Sequence, residues 1–193
     1  ERPRQSRVDF DAQERALRER MTFLAEASEI LSSSLDYHLT LSQLARLAVP
    51  GLADWCAIDM AGVDGEIERV AVAHQDPEKV RWARRLQEKY PPDPEAPHGV
   101  SQVLRSGEPE FLPTIQQELL DAAIGDDEEL RRIVDELGLR SSICVPLVAR
   151  GRTLGALTLI AAETHGPYTQ ADFELALELG RRAAISVDNA RLF

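Results

Sequence analysis

The feature that most constrains this chain lies at residues 141–162. Ser141–Val148 and Thr153–Ala162 are two apolar runs joined by Ala149-Arg150-Gly151-Arg152. Short apolar runs separated by a glycine-bearing turn read as a β-hairpin, and hairpin strands require an antiparallel sheet. Alternation then divides the side chains between two faces. One face carries Ile143, Val145, Leu147, Leu157 and Leu159 and is core. The other carries Ser142, Cys144, Thr158 and Ile160. Small and polar residues among large aliphatics leave space on that second face.

A second hairpin precedes it. Trp55, Ala57 and Asp59 alternate with Cys56, Ile58 and Met60, Val63-Asp64-Gly65 is a turn signal, and Ile67–Ala73 is the return strand. Trp55 and Asp59 share a face. A carboxylate on an otherwise apolar strand needs partners. Asp59 either meets water or a helix terminus near the strand end, or supplies a polar contact in a ligand pocket.

Helical patterns fill the rest. From Phe10 a seven-residue recurrence of Phe10, Leu17, Leu24 and Leu31, with Met21 between, runs beside a second stripe of Ala16, Phe23, Ala27 and Ile30. Two apolar stripes imply two partners, the domain itself and a second helix. Residues 1–10 are polar and read as a flexible linker, 11–34 as an N-terminal signalling or dimerisation helix, and 35–193 as the domain proper. Asp36 caps the next helix, which Pro50-Gly51 stops, and Asp76-Pro77 opens another, which Pro91-Pro92-Asp93-Pro94 breaks. Val100–Arg105, Ile115–Ile124 and Glu128–Leu137 are short helices, with Glu110-Phe111-Leu112 a short edge strand. Thr169 with Asp172 opens the last helix, 169–193, in a capping-box pattern. This order predicts an α+β, three-layer fold. The long terminal helices cover one sheet face, and the segment 75–138 covers the other, cavity-prone face. The candidate pocket is therefore lined by Ser142, Cys144, Thr158 and Ile160, extended by Trp55 and Asp59, with His74 at the rim. A ligand there is expected to be small, mostly apolar and oriented by few polar groups, with Asp59 and Arg69 pulling its charge in opposite directions.

Composition removes several function classes. Lys+Arg is 22 against 33 Asp+Glu, a net charge of −11, which argues against nucleic acid and anionic membrane as partners. The apolar runs are too short to span a bilayer, and the opening residues lack a signal-peptide pattern, so a cytoplasmic location is the default expectation. Cys56 and Cys144 form no CxxC, and the four histidines show no ligand spacing, so no metal site is expected. No P-loop, HExxH or GxSxG occurs, and no catalytic residue is assigned. Each cysteine sits in an apolar strand and reads as a small buried hydrophobe. A thiol-dependent redox enzyme is the less favoured alternative.

Several stretches together resemble a GAF domain. They are Leu137-Gly138-Leu139-Arg140-Ser141-Ser142-Ile143-Cys144-Val145-Pro146-Leu147, Gly151-Arg152-Thr153-Leu154-Gly155-Ala156-Leu157-Thr158-Leu159, and Tyr168-Thr169-Gln170-Ala171-Asp172 through Asp188-Asn189-Ala190-Arg191-Leu192. Leu52-Ala53-Asp54-Trp55-Cys56 followed by Val70-Ala71-Val72-Ala73-His74 also fits. The resemblance covers about residues 12–193 and is strongest to GAF modules of bacterial multidomain sensors. Those sit upstream of histidine kinases or PP2C-like (SpoIIE-type) phosphatases, often beside a PAS domain. It implies a sheet in the order 2-1-5-4-3, bundled terminal helices behind it, and any ligand under the segment 75–138. The chain lacks a cysteine placed for a linear tetrapyrrole, the NKxnFxDE pattern of cyclic-nucleotide binders, and the loop cysteines of methionine-sulfoxide reductase members, so no cofactor is named. The expectation is a non-enzymatic sensor module, homodimeric through its terminal helices. The alternative is a ligand-free dimerisation or spacer module.

Overall fold

A computed structural model describes residues 2–192. The elements are α1 (Arg2–Ser32), α2 (Tyr37–Ala48), β1 (Trp55–Ala61), β2 (Ile67–His74), α3 (Pro77–Lys89) and α4 (Gly99–Ser106). After these come β3 (Glu110–Leu112), α5 (Gln117–Ile124), α6 (Glu128–Leu137), β4 (Ser141–Ala149), β5 (Arg152–Ala161) and α7 (Gln170–Leu192). One antiparallel sheet runs in the order β2-β1-β5-β4-β3.

Local chemistry sets most boundaries. The Asp36 carboxylate accepts from Leu39 N at 3.3 Å and Asp127 from Leu130 N at 2.9 Å, each capping a helix whose first N–H groups have no internal partner. Asp76 accepts from Glu78 N at 2.9 Å, with Pro77 in the first turn of α3. Thr169 and Asp172 cap α7 reciprocally: Thr169 N donates to Asp172 Oδ2 at 2.7 Å and Asp172 N to Thr169 Oγ1 at 3.3 Å. The β4–β5 turn puts Arg150 at φ 50° and Gly151 at φ 72°, the left-handed pair that a two-residue hairpin demands.

The core sits between the sheet and the terminal helices. Ile143, Val145, Leu147, Leu157 and Leu159 project from β4 and β5 onto the same side as Leu179, Ala183, Ala184 and Val187 of α7 and Leu41 and Leu44 of α2, all essentially buried. Gly180 lets α7 approach β4 closely. A Cβ there would lie 3.1 Å from Val145 Cγ2 and 3.2 Å from Pro146 O. With α2 and α7 occupying the sheet face, the packing partners of α1 are those two helices.

Two expectations about α1 need correction. The helix begins at Arg2, so the described residues 2–10 continue it instead of forming a linker; Glu1 and Phe193 lie outside the described residues. The two stripes also do not find partners along their whole length. Ala27 and Leu31 are buried, whereas Phe10, Leu17 and Met21 are 65%, 58% and 64% exposed.

The loop after β5 is tied to the loop before β1 through a buried carboxylate. Asp54 accepts from Ala162 N at 2.7 Å, His165 N at 3.0 Å, Thr164 N at 3.2 Å and the Thr164 hydroxyl. Burial opposes its charge, but the Thr164 hydroxyl and these N–H groups outweigh that and hold its pKa at about 2. Nearby, Tyr168 Oη donates to Leu52 O at 3.0 Å and Tyr168 N to Ser141 Oγ at 3.1 Å. These bonds fix where β1 enters and β5 leaves the sheet.

Candidate functional site

The strand register decides which side chains face the open side of the sheet. Trp55 pairs with Ile160, Ala57 with Thr158 and Asp59 with Ala156 across β1–β5; Ser142 pairs with Ile160 and Cys144 with Thr158 across β4–β5. His74 pairs with Trp55 across β1–β2. All seven residues singled out from the sequence therefore share the face opposite α2 and α7.

They do not all reach one cavity. A cavity of about 390 Å³ lies between this face and the covering segment. Its floor is Trp55, Ala57, Val72, Thr158 and Ile160. Trp82, Ala83, Leu86 and Gln87 of α3, with Tyr90 at its C-cap, form one wall. Pro92, Val100, Leu130, Leu137 and Leu139 complete the enclosure, and Arg69 supplies a charge. Trp55, Thr158 and Ile160 thus line the cavity, and the other four candidates do not.

Each of the four has a physical reason. Cys144 is covered by α4, packing with Val103 and Ala156. Thr158 Oγ1 lies 3.4 Å from its sulfur and donates to it. Ser142 lies one strand further away, between Ile160 and Leu112. His74 stands behind Trp55, with ring centroids 4.3 Å apart. Its Nδ1 accepts from Asp76 N at 2.9 Å, which places its proton on Nε2, 3.6 Å from Glu163. Burial and the nearby Lys79 lower its pKa, against Asp76 and Asp54, so the ring is neutral at pH 7.

Asp59 meets the cavity through Arg69, which strict alternation sends to the other face. Ile58 pairs with Ala71, but Asp59 pairs with Arg69, so Val70 is an extra residue in β2. Strict alternation would put Val70 opposite Asp59 and send Arg69 to the core face. The bulge reverses this and re-aims Arg69. Its Nε and Nη2 donate to Asp59 Oδ1 and Oδ2 at 2.9 and 3.1 Å. Asp59 is fully buried and the Arg69 side chain 27% exposed. Burial raises the Asp59 pKa, with Arg69 opposing. The partner of Asp59 is thus a guanidinium in the cavity lining, in place of water or a helix terminus.

Other residues missed from sequence left a trace. Trp82, Leu86 and Tyr90 recur at intervals of four, one face of a helix, although periodicity does not say what that face meets. An ion pair also ties the end of α3 to α6: Lys89 donates to Glu129 at 2.6 Å. Trp55 Nε1–H is buried with no hydrogen-bond partner among the described residues.

Burial pushes the thiols of Cys56 and Cys144 up to about 12, so both are protonated and shielded at neutral pH. Among the described residues no three His, Cys, Asp or Glu side chains converge as a metal site. No helix of the described residues is long and apolar enough to cross a membrane.

Comparison with known proteins agrees with this architecture. The sequence profile described as GAF domain matches residues 36–187. A GAF domain from a phosphoenolpyruvate-protein phosphotransferase of Coxiella burnetii superposes with a TM-score of 0.61 at 18% identity, covering 90% of this chain and 95% of that one. A domain of a putative two-component sensor histidine kinase from Sinorhizobium meliloti gives 0.51 at 18% identity, covering 78% and 90%. A free methionine-R-sulfoxide reductase from Neisseria meningitidis, solved with its substrate, gives 0.60 at 15% identity, covering 90% of each chain. At these identities the likeness concerns the fold. No curated protein sequence matches the chain.

Proposed function

Since this chain belongs to the GAF domain family, whose members are commonly regulatory modules of signalling proteins, we propose that it senses a small molecule held in the cavity beneath α3, α4 and α6. Occupancy is relayed through α1 and α7 to a linked histidine kinase or SpoIIE-type phosphatase domain in the cytoplasm. The observation that carries this reading is the cavity itself. It is apolar, of ligand size, has a single ion pair in its wall, and lies across the sheet from the terminal helices. Gly180 has no side chain to hold α7 away from Val145 and Pro146 of β4, so displacement of β4 is felt by α7. A ligand shifts the helices only as far as it binds their two arrangements unequally.

A thermal-shift screen of small apolar compounds tests this. A binder at a hundred times its Kd stabilises the fold by about 2.7 kcal/mol. Ala83→Trp, which fills the cavity, should abolish that response. A response that survives the filled cavity places binding elsewhere and refutes the proposal.

A second feature supports homodimerisation as part of the same function. Phe10, Leu17 and Met21 of α1 and Ile185 of α7 are large apolar side chains left 58–65% exposed on the terminal helices. A second copy of α1 would cover them. The dimerisation and spacer role is compatible with ligand sensing and becomes the whole function only if the cavity proves unable to bind.

A further inference from the structure

Hydrogen-bonding capacity along the cavity wall is unevenly spent. Arg69 uses Nε and Nη2 on Asp59, and its Nη1 has no partner among the described residues. Trp55, which belongs to the same lining, has a buried Nε1–H without a partner among the described residues. The one carboxylate at this wall, Asp59, is taken by Arg69, and the Thr158 hydroxyl hydrogen goes to Cys144, which leaves its oxygen able only to accept. Gln87 of the lining carries an amide that both donates and accepts. The charged group still free at the wall is a donor, Arg69 Nη1, and it asks a ligand for an acceptor.

Charge narrows the class further. Arg69 is already matched by Asp59, which is fully buried. A ligand carboxylate would share one guanidinium with that carboxylate and leave a net negative charge in a desolvated wall, which is disfavoured twice, by like-charge repulsion and by desolvation. A ligand cation would be repelled by the Arg69 guanidinium, with no carboxylate in the lining to pair with it. The rest of the lining is flat or aliphatic, with both tryptophans of the chain and Tyr90 in it. Such surfaces favour planar rings over branched aliphatics.

We infer that the cavity selects an uncharged, planar aromatic molecule bearing a carbonyl-type hydrogen-bond acceptor, with the acceptor on Arg69 Nη1 and the ring against Trp55 and Trp82. This rests on the reading of the cavity as a ligand site. The Asp59–Arg69 pair is then a specificity device: Asp59 orients the guanidinium and cancels its charge, leaving a directed donor without net attraction for anions. The bulge at Val70 is what turns Arg69 to the cavity face.

Competition against 1-aminoanthracene, a fluorescent probe of apolar cavities, distinguishes the possibilities with three compounds of one ring system: 2-acetonaphthone, 2-naphthoate and naphthalene. The ketone should displace the probe about tenfold more tightly than naphthalene, the size expected of one hydrogen bond to a charged donor, and more tightly than the carboxylate. Arg69→Met leaves Asp59 buried and unpaired and is prone to misfold, so the informative variant is Asp59→Leu/Arg69→Met, which replaces the pair by apolar groups. It should bind naphthalene as before and lose the preference for the ketone. Equal binding of ketone and naphthalene to the wild type, tightest binding of 2-naphthoate, or a ketone preference that survives the double variant would each overturn the inference while leaving the cavity as a ligand site. Failure of the probe and all three compounds to bind would remove the ligand-site reading and this inference together.

Discussion

Replacing Asp54 by Asn tests whether the loop-to-loop anchor stabilises the fold as its geometry indicates. The carboxylate receives three backbone N–H groups and a hydroxyl, from Ala162, Thr164 and His165. An amide of the same shape keeps one acceptor oxygen and turns an NH₂ donor toward groups that are themselves donors. A carboxyl held at about 2 in place of its ordinary 3.8 contributes about 2 kcal/mol when ionised. Because the folded-state pKa is depressed, that contribution is present above about pH 4 and lost as pH falls through about 2. Asp54→Asn should therefore cost about 2 kcal/mol at pH 7, a drop of roughly 4–8 °C in Tm for a chain of this size. Urea denaturation of both proteins at pH 7, 4 and 2.5 is the assay. Titrations elsewhere are common to the two proteins, so the difference between them isolates this group. It should be constant from pH 7 to 5 and shrink below pH 4. A difference independent of pH, or one under about 0.5 kcal/mol at pH 7, would refute the assignment of Asp54 as an ionised anchor.

Three further outcomes follow from the packing. Arg69→Met alone should destabilise by roughly 3 kcal/mol, because it strands a buried carboxylate, whereas Asp59→Leu/Arg69→Met should fall within about 1 kcal/mol of wild type; chemical denaturation reads both. Cys56 and Cys144 should resist a polar disulfide reagent in the native protein and react at the rate of unfolding, so rapid native-state labelling would contradict their burial. Sedimentation should show a dimer at micromolar concentration that Leu17→Glu/Met21→Glu converts to monomer with no loss of secondary structure; a monomer in the wild type would leave the exposed face of α1 without a second copy.

Local signals carried most of the fold. The caps at Asp36, Asp76 and Thr169/Asp172 and the Arg150-Gly151 turn act within a few residues, so each is written where it operates. Alternation in 141–148 and 153–162 assigned core and open faces correctly, because no bulge interrupts the stretch that holds the candidate residues; the irregularity of β4 falls after Leu147. The candidate site was legible only as far as its sheet face. The bulge at Val70 depends on how β2 pairs with β1, and one extra residue moved Arg69 to the cavity. Asp54 gave no signal because its partners lie 108 to 111 residues away. His74 and Cys144 were placed on the correct face, but whether a residue on that face meets a cavity or a helix is decided by α3 and α4, which pack over it.

Tryptophan fluorescence measures occupancy of the cavity most directly, since the chain has two tryptophans and both line it. The measurement is a titration of Trp55→Phe and of Trp82→Phe with 1-aminoanthracene, following energy transfer from the remaining indole to the bound probe. The account predicts saturable transfer with one Kd in both variants, abolished by Ala83→Trp in either background. Transfer that rises linearly with probe, or that saturates from only one of the two tryptophans, would contradict a ligand cavity between β1, β5 and α3.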